Sequence, residues 1–228
     1  STHCISSAAS DVYKRQDLDG VIADTAKFHG QAWRQVADKV GTPWTDELAE
    51  GLKGISRMDS LQLILEASRQ GDAYSDAEKA VLADEKNRNY QTLIATLTEA
   101  DILPGMKAFI TNAKAAGYQL AIASASKNAP LILEHLGLID DFVGIVDPAT
   151  LAKGKPDPEI FVRAAEILSL PPEQTIGLED STSGIEAINA AGAISLGIGD
   201  PNVLSAADLN FATTADVTLE NLAALMDK

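Results

Sequence analysis

From Pro104 to the C-terminus the chain alternates short apolar runs with segments of helical periodicity, and that alternation restricts the fold more than any other feature. Met106 to Ala116 has a helical pattern that stops at Gly117, and Tyr118-Gln119-Leu120-Ala121-Ile122-Ala123 reads as a buried strand. The pattern then repeats. A helix is expected over Ala129 to Leu136, a short strand over Phe142 to Val146, and a helix over Asp157 to Leu168. A strand over Thr175 to Leu178, a helix over Gly184 to Ala191 and a strand over Ala193 to Ile198 follow, before a last short strand and the helix Leu219 to Met226. Repeated units of this kind predict an α/β fold with a parallel sheet and helices on both faces. Ligands of such sheets bind beyond the carboxyl ends of the strands.

Asp17, Ser124 and Glu179-Asp180 all fall at such ends. In extended backbone, side chains two apart point the same way, so Asp17 and Asp19 can face one site. Two carboxylates that close need a cation between them, or a proton on one of them. A metal-bound Asp17 could attack phosphorus, and a protonated Asp19 could hand its proton to a leaving oxygen. The pattern also fits a loop with two solvated acids.

Between these segments lies an all-helical stretch. Asp24 or Thr25 can cap a helix in which Phe28, Ala32, Trp33 and Val36 recur at helical spacing, with Gly41 as its stop. His29 and Trp33, four apart, share a face; ordinary packing would explain both. Ser56 and Asp59 have capping-box spacing before the apolar stripe Leu61, Ile64 and Leu65, a helix expected to end at Gly71. Ser75 and Glu78 open another that runs towards Leu97. Arg57 and the amides at its helix start can hold an anion bidentately.

Asp17-Leu18-Asp19-Gly20-Val21-Ile22 resembles the first motif of the haloacid dehalogenase-like phosphotransferases, and Ser124, Lys155-Pro156 and Glu179-Asp180 follow in that superfamily's order. Within it, Leu52-Lys53-Gly54-Ile55-Ser56-Arg57 resembles the cap-domain phosphate loop of the β-phosphoglucomutase family, and His29 and Trp33 stand at that family's spacing. The resemblance implies a Rossmann-like core over 17–25 and 98–228 with an inserted all-helical cap over 26–97. It also implies an enzyme that interconverts β-D-glucose 1-phosphate and glucose 6-phosphate through an aspartyl-phosphate and β-glucose 1,6-bisphosphate. A phosphatase of small sugar phosphates is the alternative; Arg57 argues against it, since a simple phosphatase needs no second phosphate site. A third reading is the inactive product of a truncated gene.

Roles follow from the resemblance and from chemistry. Asp17 is the nucleophile and Asp19 the general acid and base. Glu179, Asp180, Asp17 and the main-chain carbonyl of Asp19 form an oxygen set that suits Mg²⁺. Ser124, Ala125, Ser126 and Lys155 are expected to hold the transferring phosphoryl group, although a strand-end serine also fits a turn and a lysine a surface. Pro156 and Pro158 keep the Lys155 loop out of the helix, and Lys153 is read as a bystander. Gly54, Ser56 and Arg57 would hold the second phosphate. Thr25, His29, Trp33, Lys53, Lys86 and Asn128 are expected around the sugar.

A formal charge of −15 argues against nucleic acid and anionic membrane as partners. No apolar run approaches the length of a membrane span. The single cysteine, Cys4, rules out an intramolecular disulfide and suits a reducing cytoplasm. A cytoplasmic monomer acting on a small phosphosugar is expected. Residues 1–16 read differently from the rest. A near-continuous apolar strand should precede Asp17, yet Ser10-Asp11-Val12-Tyr13-Lys14-Arg15-Gln16 holds only Val12 and Tyr13 as apolar residues. Asp11 to Gln16 is also what a transposon end used in sequencing libraries would encode, so an adapter fused to a truncated gene is expected here. The buried side chains then missing from that strand would cost about 1.5–3 kcal/mol each, together a loss comparable with a domain's whole stability.

Overall fold

The structure, a computed structural model, describes residues 13–16 and 20–226, with 13–16, 225 and 226 by backbone alone. Residues 1–12 and 17–19 lie outside it, and with them the origin of the N-terminal segment and the pair Asp17 and Asp19.

Six strands form one parallel sheet in the order β3-β2-β1-β4-β5-β6. They are β1 (Tyr13–Gln16), β2 (Leu120–Ile122), β3 (Gly144–Ile145), β4 (Thr175–Glu179), β5 (Ile194–Ile198) and β6 (Leu209–Phe211). Strands β2 and β4 are buried along their whole length, as apolar runs in a sheet covered on both faces must be. A strand stands where the near-continuous apolar run was lacking. Tyr13–Gln16 pairs with β2 on one side and β4 on the other, Lys14 opposite Leu120 and Ile176. Backbone hydrogen bonds to two neighbours need no particular side chain, so apolar pattern alone was a poor guide to this strand.

Alternation along β2 splits the core into two layers. Leu120 and Ile122 face a cluster with α5 (Met106–Ala115), α6 (Ala129–His135) and Leu222 of α9 (Leu219–Met226). Ala121 and Ala123 face α7 (Glu159–Ile167) and α8 (Thr182–Ala190). Strand order reverses between β1 and β4, which places the ligand crevice of this Rossmann-like topology where Gln16 and Glu179 end their strands.

Four helices are inserted between β1 and the rest of the sheet: α1 (Ala26–Val40), α2 (Asp46–Gly51), α3 (Arg57–Ala67) and α4 (Asp76–Ile94). Their shared core holds Trp33, Val36, Leu61, Ile64, Leu65 and Leu82. The far end of α4 leaves that cluster, and Tyr90 and Ile94, with Ala32 of α1, are buried in the core of the sheet domain. The helix starts at Ser56 and Ser75 behave as expected. Ser56 accepts from the Asp59 N–H at 3.2 Å, and Ser75 forms a full capping box with Glu78. Two local expectations are corrected, and one helix was not foreseen. Helix α3 stops at Ala67, because Arg69 takes a left-handed φ of 60° before Gly71 is reached. Thr25 stands at the N-cap of α1, but its hydroxyl donates back to the Ala23 carbonyl. The short helix α2, capped by Thr45, had no apolar stripe long enough to announce it. Among the described residues no helix is long and apolar enough to cross a membrane.

Candidate active site

Strand β4 delivers Glu179 and Asp180 to the crevice. Glu179 is fully buried, and both of its oxygens are engaged. Oε1 accepts from the Ser181 hydroxyl (2.8 Å) and from the N–H groups of Ser181 (3.1 Å) and Asp180 (3.2 Å). Oε2 takes the Lys155 ammonium at 2.7 Å, with both side chains wholly inaccessible to solvent. A buried carboxylate is tolerated only when paired and hydrogen-bonded, and this one is both. Ser181 in turn caps α8 by accepting from the Gly184 N–H at 3.1 Å. Gly184 must be glycine, since a Cβ there would lie 2.0 Å from the Glu179 carboxyl carbon. Ser181 and Gly184 were missed as site residues; a serine after a buried strand with a glycine three residues on was the available signal.

Asp180 is half-buried at the rim of a cleft of about 580 Å³. Gly20 packs directly on its carboxylate, so the loop that follows Asp19 meets the end of β4 here. Carboxylate oxygens from β4 beside the first loop are the hard donor set that Mg²⁺ takes. Glu179 could reach such an ion only through Oε2 or a water, because Oε1 is saturated by three donors.

The loop after β2 forms the second wall. Ser124 is fully buried, its Oγ accepting from the Ser126 N–H at 3.0 Å, and Ser126 Oγ accepts from the Asn128 N–H at 3.3 Å. The serine hydroxyls shape the loop, and Ala125, Ser126, Lys127 and Asn128 line the cleft.

The inserted helices form the opposite wall. Lys53, Gly54, Ser56 and Arg57 line it at the start of α3. Gly54 has φ +72° and presses on α8, where a Cβ would come within 2.4 Å of Ser181 Oγ; Ser183 donates to the Lys53 carbonyl at 3.3 Å. Arg57 Nη2 donates to Asn87 Oδ1 of α4 at 2.8 Å. Burial pushes the Arg57 guanidinium below its ordinary pKa, while the charge of Asp84 pulls it back up.

His29, Trp33 and Lys86 converge at the side of the cleft. Lys86 is buried, its ammonium 2.7 Å from His29 Nδ1 and 4.9 and 4.6 Å from the ring centres of Trp33 and Tyr90. A lysine has no acceptor, so the His29 ring must be neutral at Nδ1 and carry its proton on Nε2. Trp33 therefore does two things, packing in the helical core and facing a cation. Thr25, fully buried, lies just before these residues at the head of α1. Lys153 is exposed, with Asp157 its distant ion-pair partner at 3.8 Å.

The chain matches the haloacid dehalogenase-like hydrolase family over residues 17–192. It is 46% identical over 206 residues to β-phosphoglucomutase of Bacillus subtilis, covering 90% of this chain and 91% of that one. A phosphorylated carbohydrates phosphatase of Thermotoga maritima is 32% identical over 178 residues, covering 77% and 79%. The crystal structure of β-phosphoglucomutase from Clostridium difficile superimposes with a TM-score of 0.92 at 41% identity, covering 94% of this chain and 96% of that one. The chain is thus an enzyme of the haloacid dehalogenase-like hydrolase family and belongs to its β-phosphoglucomutase branch.

Proposed function

We propose that this enzyme interconverts β-D-glucose 1-phosphate and glucose 6-phosphate through β-glucose 1,6-bisphosphate. The observation that carries the reading is one cleft with two places for a phosphoryl group, Arg57 at the start of α3 together with Asn128 at one, and the Asp180 end of β4, where a metal ion would sit, at the other. An intermediate with two phosphates needs two such places. The β-phosphoglucomutases of B. subtilis and C. difficile support it through their similarity.

In this reading a carboxylate oxygen of Asp17 attacks the phosphorus of the bisphosphate. The bond from phosphorus to the sugar oxygen breaks, and Asp19 protonates that oxygen. In the return step a sugar hydroxyl gives its proton to Asp19 while its oxygen attacks the aspartyl-phosphate. Lys155, held on Glu179, contributes positive charge behind the phosphoryl group. Mg²⁺, which would be held by Asp17, the Asp19 carbonyl, Asp180 and Glu179, neutralises phosphoryl charge when bound. Residues 26–97 act as a cap that keeps water from the aspartyl-phosphate. His29 and Lys86 bring a neutral imidazole and a cation to the sugar side. A cytoplasmic monomer is the setting that goes with an acidic chain and a small phosphosugar.

The test is isomerisation of β-glucose 1-phosphate with a trace of the bisphosphate, set beside release of inorganic phosphate. Glucose 6-phosphate should form with little phosphate, and Asp17→Asn should abolish both. Stoichiometric phosphate without glucose 6-phosphate would make the protein a phosphatase.

A further inference from the structure

Three polar residues of α4, Asp84, Asn87 and Gln91, stand at i, i+3 and i+7 and so share one helix face. Each is tied to a phosphate-binding residue of the cleft or to a charge in it. Asn87 Oδ1 accepts from Arg57 Nη2 at 2.8 Å and from Asn128 Nδ2 at 3.0 Å. Asn128 Oδ1 accepts from Gln91 Nε2 at 3.1 Å. Asp84 acts on Arg57 through its charge.

The polarity of this chain of bonds is fixed by one residue. Arg57 has donors only, so Asn87 must turn its oxygen to it. That oxygen also faces Asn128, which must present its amino group. The Asn128 oxygen then points the other way, to Gln91. An amide oxygen has two lone pairs, and Arg57 and Asn128 occupy both on Asn87. Arg57 and Asn128 also line the cleft from opposite walls, where their further N–H groups can meet an anion.

We propose that Asn87 and Gln91 are positioning residues that join Arg57 of the cap and Asn128 of the core into one clamp for the phosphate that is not being transferred. The proposal rests on the two-phosphate reading above. A neutral oxygen suits this role, because it orients the guanidinium without cancelling its charge. Asp84 is the nearby competitor. Without Asn87 the guanidinium would turn towards that carboxylate, and Asn128 would keep only Gln91 as its tie to the cap.

The experiment compares Asn87→Ala, Asn87→Asp and Gln91→Leu with the parent protein. It measures KM and kcat for β-glucose 1-phosphate, hydrolysis of acetyl phosphate, and thermal melting. Asn87→Ala should raise KM about tenfold while kcat and acetyl phosphate hydrolysis change less than about twofold, a split of roughly 1.4 kcal/mol in binding alone. Asn87→Asp keeps shape and acceptor, so it should fold as the parent does. It should still raise KM about tenfold, because a fixed carboxylate holds Arg57 against the substrate. Gln91→Leu should give a smaller rise of the same kind. If Asn87→Asp restores the parent KM, or if all three variants lower the melting temperature with KM unchanged, the residues are structural and the proposal is wrong. The same question can be put without turnover, by calorimetric titration of β-glucose 1,6-bisphosphate into Asp17→Asn with and without Asn87→Asp. If the parent does not isomerise β-glucose 1-phosphate, the proposed function fails. An approximately tenfold loss of bisphosphate affinity would still uphold the clamp, and equal affinities would overturn it.

Discussion

Gly20 stands so close to Asp180 that a Cβ on it would lie 1.9 Å from the carboxylate Oδ2. Its φ of +77° is a conformation that L side chains enter at a cost of about 1–2 kcal/mol. Gly20→Ala therefore meets two obstacles, and the cheaper relief is to push Asp180 out of place. Turnover should fall about tenfold or more, and the Mg²⁺ concentration for half-maximal rate should rise. An alanine variant with the parent's Mg²⁺ dependence would show that Asp180 is not held by this contact.

The Lys155–Glu179 pair is wholly inaccessible to solvent. Removing one partner leaves a buried charge uncompensated, which costs about 3–5 kcal/mol. Lys155→Met should lose that much in urea unfolding. Adding Glu179→Gln to it should recover part of the loss, since neither position of the pair then holds a buried charge, while activity stays absent. If the single variant is as stable as the parent, water or another cation must reach Glu179.

At the seam between cap and core, Gly54 offers a separate test. A Cβ there would lie 2.4 Å from Ser181 Oγ and 2.9 Å from Ser183 Oγ. Gly54→Ala should wedge the cap away from α8 and admit water to the aspartyl-phosphate. The ratio of phosphate released to glucose 6-phosphate formed should rise about tenfold or more, and an unchanged ratio would mean that this contact does not govern closure.

Arg57→Ala separates mutase from core chemistry. The guanidinium can make two charge-assisted hydrogen bonds, each worth about 1.5–3 kcal/mol. Isomerisation should fall about ten- to a hundredfold or more, at roughly 1.4 kcal/mol per decade. Acetyl phosphate, which touches only the core, should be hydrolysed at close to the parent rate. Equal losses in both assays would make Arg57 structural.

Much of this was legible in the chain because it rests on local rules. Capping serines at 56 and 75, the left-handed stop at Gly41 and the apolar runs at β2 and β4 depend on neighbours within a few residues. The strand ends then follow from topology, and so do the places of Ser124, Glu179 and Asp180. The parts that could not be read depend on residues far apart in sequence. Tyr13–Gln16 is a central strand because β2 and β4 bracket it, a fact of backbone pairing that its polar side chains conceal.

The sequence by itself determined the order of the motifs, the alternation that makes a parallel sheet, and the chemical types gathered at its edge. Tertiary structure alone decided the partners. Lys155 meets Glu179 across 24 positions and Arg57 meets Asn87 across 30, and Asn87 meets Asn128 across 41. Hydrogen bonds and ion pairs act over a few ångströms, so which groups satisfy each other is settled only when the helices and the sheet have been brought into contact.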